Sequence, residues 1–500
     1  MVGLLPVANV LGRLLSIFSS AYLMPIAASI LYRDGTTAEF VAAMAISLLG
    51  GLTLYFTTRA DYRELKPRDG FLLVSTVWAL MAAIATIPLL LVYDTMSFTD
   101  AFFETMSGLT TTGATVLTGL EHLPASVNLW RHALNWFGGM GIIVFAVAIL
   151  PLLGVGGMQL YKAETPGPMK DSKLTPRIAG TAKALWLVYC GITLACILAL
   201  RAAGMGWLDA VCHAFAALSL GGFSTYDASV GQFDSPLIEG VLIVFMLLAA
   251  MNFATHFLAA RGRSLVAYWR DVEARTLLAL IAASTLVCAT YLWLVGTYEA
   301  WPQALRHVAF NLVSIATDCG FVSLDYEQWP IFVPMWMLFL SCFAASSGST
   351  GGGIKLFRAL VLVRHAQGEL QRLVHPAAVN PVRVGGAVIS PNIAGAVLGF
   401  IFLYAFTVCE LTFFLMASGM DFISAFTAII GCLPLAFASG AGAGARCGMG
   451  VAVVGGMTFA TLCGLLLIPA FYIISEKMAR NFWKATGLKR IKFKYRMLRR

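Results

Sequence analysis

Long apolar stretches dominate the pattern of hydrophobic and polar positions along this chain. About ten of them approach the roughly 20 residues that a helix needs to cross a hydrocarbon core. The first two are predicted over Leu4–Leu31 and Glu39–Thr57. After them an arrangement repeats: an apolar span, an amphipathic run too short to cross, a turn of small residues and a second span. The pattern predicts a repeated helix–turn–helix unit.

Four such units are predicted, each with a span, a half-helix and a returning span. Their segments are Phe71–Tyr93, Ala101–Leu109 and Leu134–Leu153; Ala184–Leu200, Asp209–Leu218 and Leu237–Ala259; Leu277–Leu294, Ala304–Ile315 and Ile331–Val363; and Ile393–Met416, Asp421–Gly431 and Val451–Ile474. Irregular backbone at membrane depth needs protein or a watery cavity around it, so four half-helices predict one shared pore. The predicted fold is an all-α polytopic membrane protein with about ten transmembrane helices, two of them N-terminal.

The turns that follow the half-helices stand in register. They read Thr110-Thr111-Thr112-Gly113, Ser219-Leu220-Gly221-Gly222 and Thr317-Asp318-Cys319-Gly320. Asp100 lies thirteen residues before Gly113, and the second copy repeats this spacing. A fourth copy starts at Ser424, but the same count reaches Phe437 instead of a glycine.

Composition agrees with a membrane protein, since 59% of the residues are hydrophobic and 12% are charged. The mean hydropathy is +0.81. The net charge of +9 is concentrated in alternate connections, so the positive-inside rule predicts that both termini are cytoplasmic. We interpret the basic C-terminal tail as a solvated segment near anionic lipid, not as a nucleic-acid site. No nucleophile–base pair or metal cluster is evident, which argues against an enzyme.

These patterns divide the chain into six segments. They are a two-helix N-terminal segment (1–68), pore-loop repeats 1 (69–182), 2 (183–275) and 3 (276–388), an atypical repeat 4 (389–476) and a basic cytoplasmic tail (477–500).

The registered turns suit a cation filter. A dehydrated cation needs oxygen ligands, which rings of backbone carbonyls supply, and glycine lets the backbone turn inward. The alternative for a single copy is an ordinary loop. Three copies in register favour the filter. For Asp318 we favour a side chain that points away from the pore and bonds backbone donors, over one that concentrates cations.

A second polar stretch, Ser346–Lys355, interrupts the apolar segment Ile331–Val363. It is rich in glycine, serine and threonine, and that segment is long for one span, so we expect the helix to break there. It is not a phosphate-binding P-loop, because Gly353 is followed by Ile354 instead of lysine. We favour a movable intramembrane gate formed by Gly351, Gly352, Gly353 and Lys355. The alternative is a kinked helix with a snorkelling lysine.

Together these motifs resemble the Trk/Ktr/HKT potassium transporter superfamily, most closely its bacterial TrkH/TrkG membrane subunits. The residues that carry the resemblance are Phe102–Glu104, Thr110–Gly113, Trp136–Gly141, Gly221–Ser224 and Ser346–Lys355. The similarity extends over about residues 1–430. It implies potassium uptake across the bacterial inner membrane, with potassium as the transported ion and no covalent cofactor. It also implies a homodimer and a cytosolic nucleotide-binding regulator of the TrkA type.

The resemblance assigns roles to individual residues. The potassium-binding carbonyls would include those of Thr111, Thr112, Leu220, Gly221, Asp318 and Cys319. In the fourth loop Leu435 and Ala436 would stand at the same register, unless that loop shifts to use Ser439 and Gly440. The pivots would be Gly113, Gly222 and Gly320. The third turn departs from the family, which usually has a Thr-rich run where Asp318 and Cys319 stand.

The fourth loop departs further, because its sequence resembles the final spans of RND efflux pumps over about residues 430–477. Gly455-Gly456-Met457 and Pro469-Ala470-Phe471-Tyr472 carry that similarity. An arginine that the family carries in its last pore-lining helix is missing from Val451–Ile474. A fusion, an assembly error or a remodelled repeat would each explain this. The alternative function is therefore a non-conducting structural subunit or a defective fusion product.

Overall fold

Helices account for nearly all the regular structure in the part of the chain that the computed structural model describes, residues 5–59, 67–144, 178–376, 381–422 and 424–426. These residues belong to the first of two compact units, Met1–Val451; the second, Ala452–Arg500, lies outside them. The exception is one two-stranded antiparallel hairpin, β1 (Arg383–Val384) with β2 (Ala387–Val388). The predicted all-α class is confirmed.

The N-terminal segment is a pair of antiparallel helices. Helix α1 (Leu5–Phe18) runs through a 3₁₀ turn into α2 (Leu23–Tyr32), and α3 (Thr37–Thr58) returns. The helices pack closely because glycines face each other. A Cβ on Gly12 would lie 2.6 Å from the Tyr55 nitrogen, and one on Gly51 would lie 2.7 Å from the Ser16 nitrogen.

Repeat 1 contains α4 (Pro67–Ala85), α5 (Ile87–Val92), α6 (Phe98–Leu109) and α7 (Ala125–Val144). Helix α6 is the predicted half-helix, and it and its counterparts in the other repeats are named pore helices. The predicted single span therefore breaks at Thr86. Pro88 lacks an N–H group, which leaves the Ile84 carbonyl without its helical partner. The Tyr22 hydroxyl donates to that carbonyl at 3.0 Å, and the indole N–H of Trp130 donates to the Ala85 carbonyl at 3.1 Å.

Repeat 2 contains α8 (Ile178–Ala202), the pore helix α9 (Trp207–Ser219), α10 (Pro236–Ala250) and α11 (Phe253–Gly262). The sequence predicts one continuous returning span over Leu237–Ala259, and this is wrong. The chain bends by 101° between α10 and α11. Asn252 stabilises the bend, because its side chain caps the new helix by accepting the Ala254 N–H at 2.9 Å.

A short helix at the end of repeat 2 is followed by the four helices of repeat 3, and the fourth repeat begins with one. They are α12 (Val266–Arg270), α13 (Val272–Leu294), the pore helix α14 (Trp301–Ala316), α15 (Phe332–Ser341), α16 (Leu356–Val374) and α17 (Pro391–Ala417). The break between α15 and α16 confirms the interruption expected at Ser346–Lys355. The division into six segments stays a prediction, and α4, α8 and α13 each begin a few residues before a predicted boundary.

Five helices within the described residues are long and apolar enough to cross a membrane, or six if the bent pair α10–α11 is one span. The predicted spans Phe71–Tyr93 and Ile331–Val363 are broken, for the local reasons given above, and residues 145–153 of the predicted span Leu134–Leu153 lie outside the described residues. The returning span Val451–Ile474 lies outside the described residues. Large apolar side chains face outward on α17, where Phe402 and Phe413 are each 69% exposed. Such surface suits contact with lipid.

Candidate ion-conduction site

The three pore helices end with the same hydrogen bonds. In each copy, an amide of the turn donates to the carbonyl five residues earlier at 2.9 Å. The donors are Thr112, Gly221 and Cys319, and the acceptors are Ser107, Ala216 and Ser314. These bonds close the C-terminus of each helix, so the three turns leave their helices with the same geometry.

Positive φ angles also recur in register. The first set is Thr111, Leu220 and Asp318, at 55°, 54° and 62°; the second is Gly113, Gly222 and Gly320, at 78°, 67° and 91°. For a residue with a Cβ this conformation costs on the order of 1–3 kcal/mol and persists only where the surroundings impose it. In an extended strand, successive carbonyls point to opposite sides. Two residues with positive φ, two positions apart, interrupt this alternation and allow neighbouring carbonyls to face the same side.

Neighbouring turns approach each other closely at the pivot glycines. A Cβ on Gly113 would overlap the carbonyl oxygen of Gly221, and a Cβ on Gly222 would overlap that of Cys319. Gly113 and Gly222 therefore each abut the carbonyl just before the pivot of the next repeat. The structure thus brings the predicted residues of repeats 1, 2 and 3 together, and glycine is the residue that fits at the first two pivots.

Helix α7 supports this cluster from behind. A Cβ on Gly138 would overlap the Leu109 carbonyl, and one on Gly139 would lie 2.8 Å from the Ser219 Cα. Buried Asn135 stands next to Gly221, with its amide nitrogen 2.5 Å from where a Cβ would be. The Gly-rich run of α7 therefore allows close packing against the ends of the first two pore helices.

The Gly-rich loop between α15 and α16 is a folded, buried turn. Its backbone bonds to the end of α10, with the Ser346 N–H donating to the Ala250 carbonyl at 2.9 Å. The Thr350 hydroxyl lies 3.0 Å from the Leu218 carbonyl at the end of the second pore helix. The loop therefore sits directly against the second filter turn.

Lys355 lies at the end of this loop with φ of 72°. Its ammonium group turns back and donates to the Gly351 carbonyl, and it also lies 3.5 Å from the Ser349 carbonyl. The side chain is half-buried. This geometry disfavours the snorkelling alternative, because the charge is held by the loop and not extended along the helix.

Asp318 connects the third filter turn to the same loop. Its carboxylate accepts the Gly352 N–H and interacts electrostatically with Lys355. The side-chain oxygen lies 3.0 Å from where a Cβ on Gly352 would be. The orientation agrees with the favoured interpretation, in which Asp318 bonds a backbone donor away from its own turn.

Two buried carboxylates escaped the sequence interpretation as functional residues. Glu273, 5% exposed on α13, accepts the N–H groups of Ser347 and Phe357 at 3.0 Å each. Glu104 forms an ion pair with Arg131 at 2.7 Å, with side chains 0% and 1% exposed. A charged residue within an apolar helix was the available signal, since such a residue needs a partner.

The fourth filter turn cannot be compared in the same way. Leu435, Ala436 and Phe437 lie outside the described residues. Their predicted roles stay predictions.

Residues 36–436 match the family described as TrkH, cation transport protein. The chain belongs to this family. TrkH-family relatives include the Trk system potassium uptake protein TrkH of Halomonas elongata, 45% identical over 85% of this chain and 88% of that protein. TrkH of Escherichia coli K12 is 42% identical over 85% and 89%, and TrkG of that strain is 37% identical over 85% and 88%. The predicted resemblance is confirmed.

Among solved structures, the crystal structure of the potassium transporter TrkH from Vibrio parahaemolyticus matches with a TM-score of 0.81 and 40% identity. The match covers 92% of this chain and 98% of that one. The chain is thus a multi-pass membrane protein of the TrkH family. The names of these relatives describe transport, as expected from the absence of a catalytic constellation in the sequence.

A second match covers residues 422–476, which are similar to the AcrB/AcrD/AcrF family. It overlaps the end of the TrkH match by fifteen residues, 422–436. The similarity of the C-terminal segment to RND efflux pumps, predicted over about 430–477, is therefore confirmed for this segment alone.

Proposed function

We propose that this chain takes up potassium across the bacterial inner membrane, through a pore shared by four repeats. The observation that supports this most strongly is the set of three filter turns with matching hydrogen bonds and matching positive φ angles. Its relatives of 42–46% identity are named potassium uptake proteins. Potassium is the transported ion, and no covalent cofactor is needed.

The proposed potassium ligands are backbone carbonyls. In the three described turns they belong to Thr111, Thr112, Leu220, Gly221, Asp318 and Cys319. Leu220 and Cys319 are each 1% exposed as whole residues, so protein atoms surround their side chains. Carbonyl oxygens replace the water that potassium loses on entering.

The proposed gate is the Gly-rich loop of repeat 3, with Gly351, Gly352, Gly353 and Lys355. Asp318 and Lys355 link this loop to the third filter turn, and Thr350 links it to the second pore helix. A loop bonded to two filter elements can block the path or leave it by exchanging a small number of hydrogen bonds.

We further propose a homodimer with both termini in the cytoplasm, where the basic C-terminal tail lies near anionic lipid. A cytosolic nucleotide-binding regulator of the TrkA type would bind the cytoplasmic face. The positive-inside distribution of Lys and Arg supports the placement of the termini, and relatives named as parts of a Trk system support a regulatory partner. The homodimer rests on the family resemblance alone.

Potassium uptake in a cell that lacks its own uptake systems tests the proposal. The chain should restore growth at low potassium, and Gly222→Ala should abolish it, because the new Cβ overlaps the Cys319 carbonyl. Gly240→Ala is the matched control, since nothing lies within 4 Å of its Cβ position and uptake should persist. Equal uptake by the two variants would contradict the filter.

The second candidate is a non-conducting structural subunit or defective fusion product. The observation that favours it is the second family match, which begins at residue 422 and runs through the predicted fourth filter turn. This candidate predicts stable insertion and dimerisation without cation flux. Uptake by the unaltered chain would exclude it.

A further inference from the structure

Each pore helix carries one buried polar residue at the same place, nine positions before its pivot glycine. The residues are Glu104, His213 and Asn311, which are 1%, 0% and 0% exposed. They differ in chemistry, as a carboxylate, an imidazole and an amide. Their common position suggests a shared task, which their contacts identify.

In repeat 1 the contact reaches the strand that leaves the filter. Glu104 accepts the Thr115 hydroxyl at 2.9 Å and the Val116 N–H at 3.1 Å. Arg131 pairs with Glu104 and also donates to the Thr115 hydroxyl at 3.1 Å. The carboxylate therefore holds the two residues that follow Ala114, just beyond the first pivot.

The corresponding residues of repeats 2 and 3 make the equivalent contact through an imidazole and an amide group. The Nε2 atom of His213 lies 3.0 Å from the Ser224 hydroxyl. The amide group of Asn311 donates to the Ser323 hydroxyl at 2.9 Å and accepts the Ser323 N–H at 3.2 Å. In all three copies the target lies two or three residues beyond the pivot glycine.

Arg131 also joins the first two copies. It donates to the Ser224 carbonyl at 3.4 Å, and its guanidinium lies 4.5 Å from the centre of the Phe223 ring. Simple core packing would not direct three different side chains to equivalent backbone positions. A requirement to hold the exit strand of each turn at a fixed distance from its pore helix would do so.

We propose that Glu104, His213 and Asn311 are positioning residues, a polar clamp that sets the spacing of the filter carbonyls and so favours potassium over sodium. Sodium is smaller, and carbonyls must move inward to coordinate it; strands anchored to the pore helices resist that movement. The inference rests on the proposed potassium uptake. In the fourth repeat the same count back from Phe437 reaches Ala428, which has no polar side chain and lies outside the described residues.

Cation-dependent thermal unfolding of the purified full-length protein in detergent tests the clamp without requiring conduction. Potassium, sodium or choline chloride is titrated, and the midpoint Tm reports ion binding. Wild type should reach the same rise in Tm at a lower concentration of potassium than of sodium, and the ratio of these two concentrations is its potassium preference. Asn311→Leu should reduce this preference by roughly three- to tenfold, as expected for the loss of one or two hydrogen bonds.

Thr105→Val is the matched control on the first pore helix. Thr105 is buried next to Glu104, but its hydroxyl bonds the Ala82 and Ala101 carbonyls at 3.0 Å and does not reach the exit strand. This variant should lower Tm in choline and keep the wild-type potassium preference. Ser323→Ala, which removes one end of the third contact, should reduce the preference, and its combination with Asn311→Leu should add nothing further.

The outcomes separate the two proposals. Wild type without potassium-specific stabilisation would overturn the potassium filter and the clamp together. A wild-type preference that survives in Asn311→Leu and Ser323→Ala, with only Tm in choline reduced, would overturn the clamp alone. Should Asn311→Leu fail to fold, Ser323→Ala decides by the same criterion.

Discussion

At the scale of single residues, the carboxylate of Glu273 bridges the two sides of the Gly-rich loop. One oxygen accepts the N–H groups of Ser347 and Phe357, which stand on opposite sides of the loop, at 3.0 Å each. Both contacts are buried. Removing this acceptor would leave two donors without partners, which is costly where water cannot replace it.

We therefore expect Glu273→Ala to lower the free energy of unfolding by about 2–4 kcal/mol. Glu273→Gln places an amide oxygen near the same position and should cost less than half as much. Denaturant titration of the purified protein in mixed micelles measures both. Equal losses in the two variants would show that the contacts to Ser347 and Phe357 contribute little.

The registered turns were predictable at this scale, and the buried pairs were not. Glycines at Gly113, Gly222 and Gly320 mark positive φ in the sequence, because other residues rarely adopt it. Glu273 and Ser347 are 74 residues apart, and no local pattern connects them. The positive φ angle of Leu220 could not be predicted from the sequence either, because the surrounding structure imposes it and leucine itself rarely adopts it.

At the scale of elements, Asp34 fastens the N-terminal helix pair to repeat 1. Its carboxylate accepts the Ser126 N–H in the first turn of α7 at 2.8 Å, the Ser29 hydroxyl at 2.6 Å and the Thr36 hydroxyl at 3.0 Å. Burial alone would raise its pKa, but these hydrogen bonds outweigh burial and lower the pKa to about 2. Asp34 lies in the turn between α2 and α3.

A lowered pKa makes this attachment dependent on pH. The stabilisation is complete above the unfolded-state pKa, about 3.9, and is lost as the pH falls through about 2. Asp34→Asn should therefore lower Tm at pH 6, and its difference from wild type should shrink steadily as the pH falls from 4 towards 2. Thermal unfolding of the two proteins across this range measures it, and a constant difference would contradict the assignment to Asp34.

The bend between α10 and α11 could not be predicted from the hydropathy of its own segment. Leu237–Ala259 is almost uniformly apolar, so hydropathy predicts one span. The bend depends on Asn252 as a cap and on the Phe253 N–H, which donates to the Gly348 carbonyl at 3.1 Å. Since Gly348 belongs to the next repeat, the kink and the Gly-rich loop form together, and the pattern of one segment cannot reveal either partner.

At the scale of the whole molecule, the filter turns of the first three repeats agree in sequence with one another more closely than with the fourth. In the structure, the pivot glycine of repeat 1 contacts the turn of repeat 2, and that of repeat 2 contacts the turn of repeat 3. The proposed pore has four such positions, so a loop of a different shape at the fourth would alter the oxygen cage that the other three build. Phe437 stands where the count requires a glycine, in a segment that matches another family.

Replacement of residues 430–477 by the corresponding segment of a TrkH relative should therefore raise potassium uptake, by at least about tenfold if the mismatch costs 1.4 kcal/mol or more at the transition state. A more local test is Phe437→Gly, which restores the pivot and keeps the rest of the segment. If the pivot alone is at fault, both changes restore uptake of labelled rubidium. If only the long replacement does, the whole C-terminal segment is incompatible with the pore. Uptake that is already high and unchanged in both variants would show that the fourth loop conducts as it stands, as expected if it shifts to use Ser439 and Gly440.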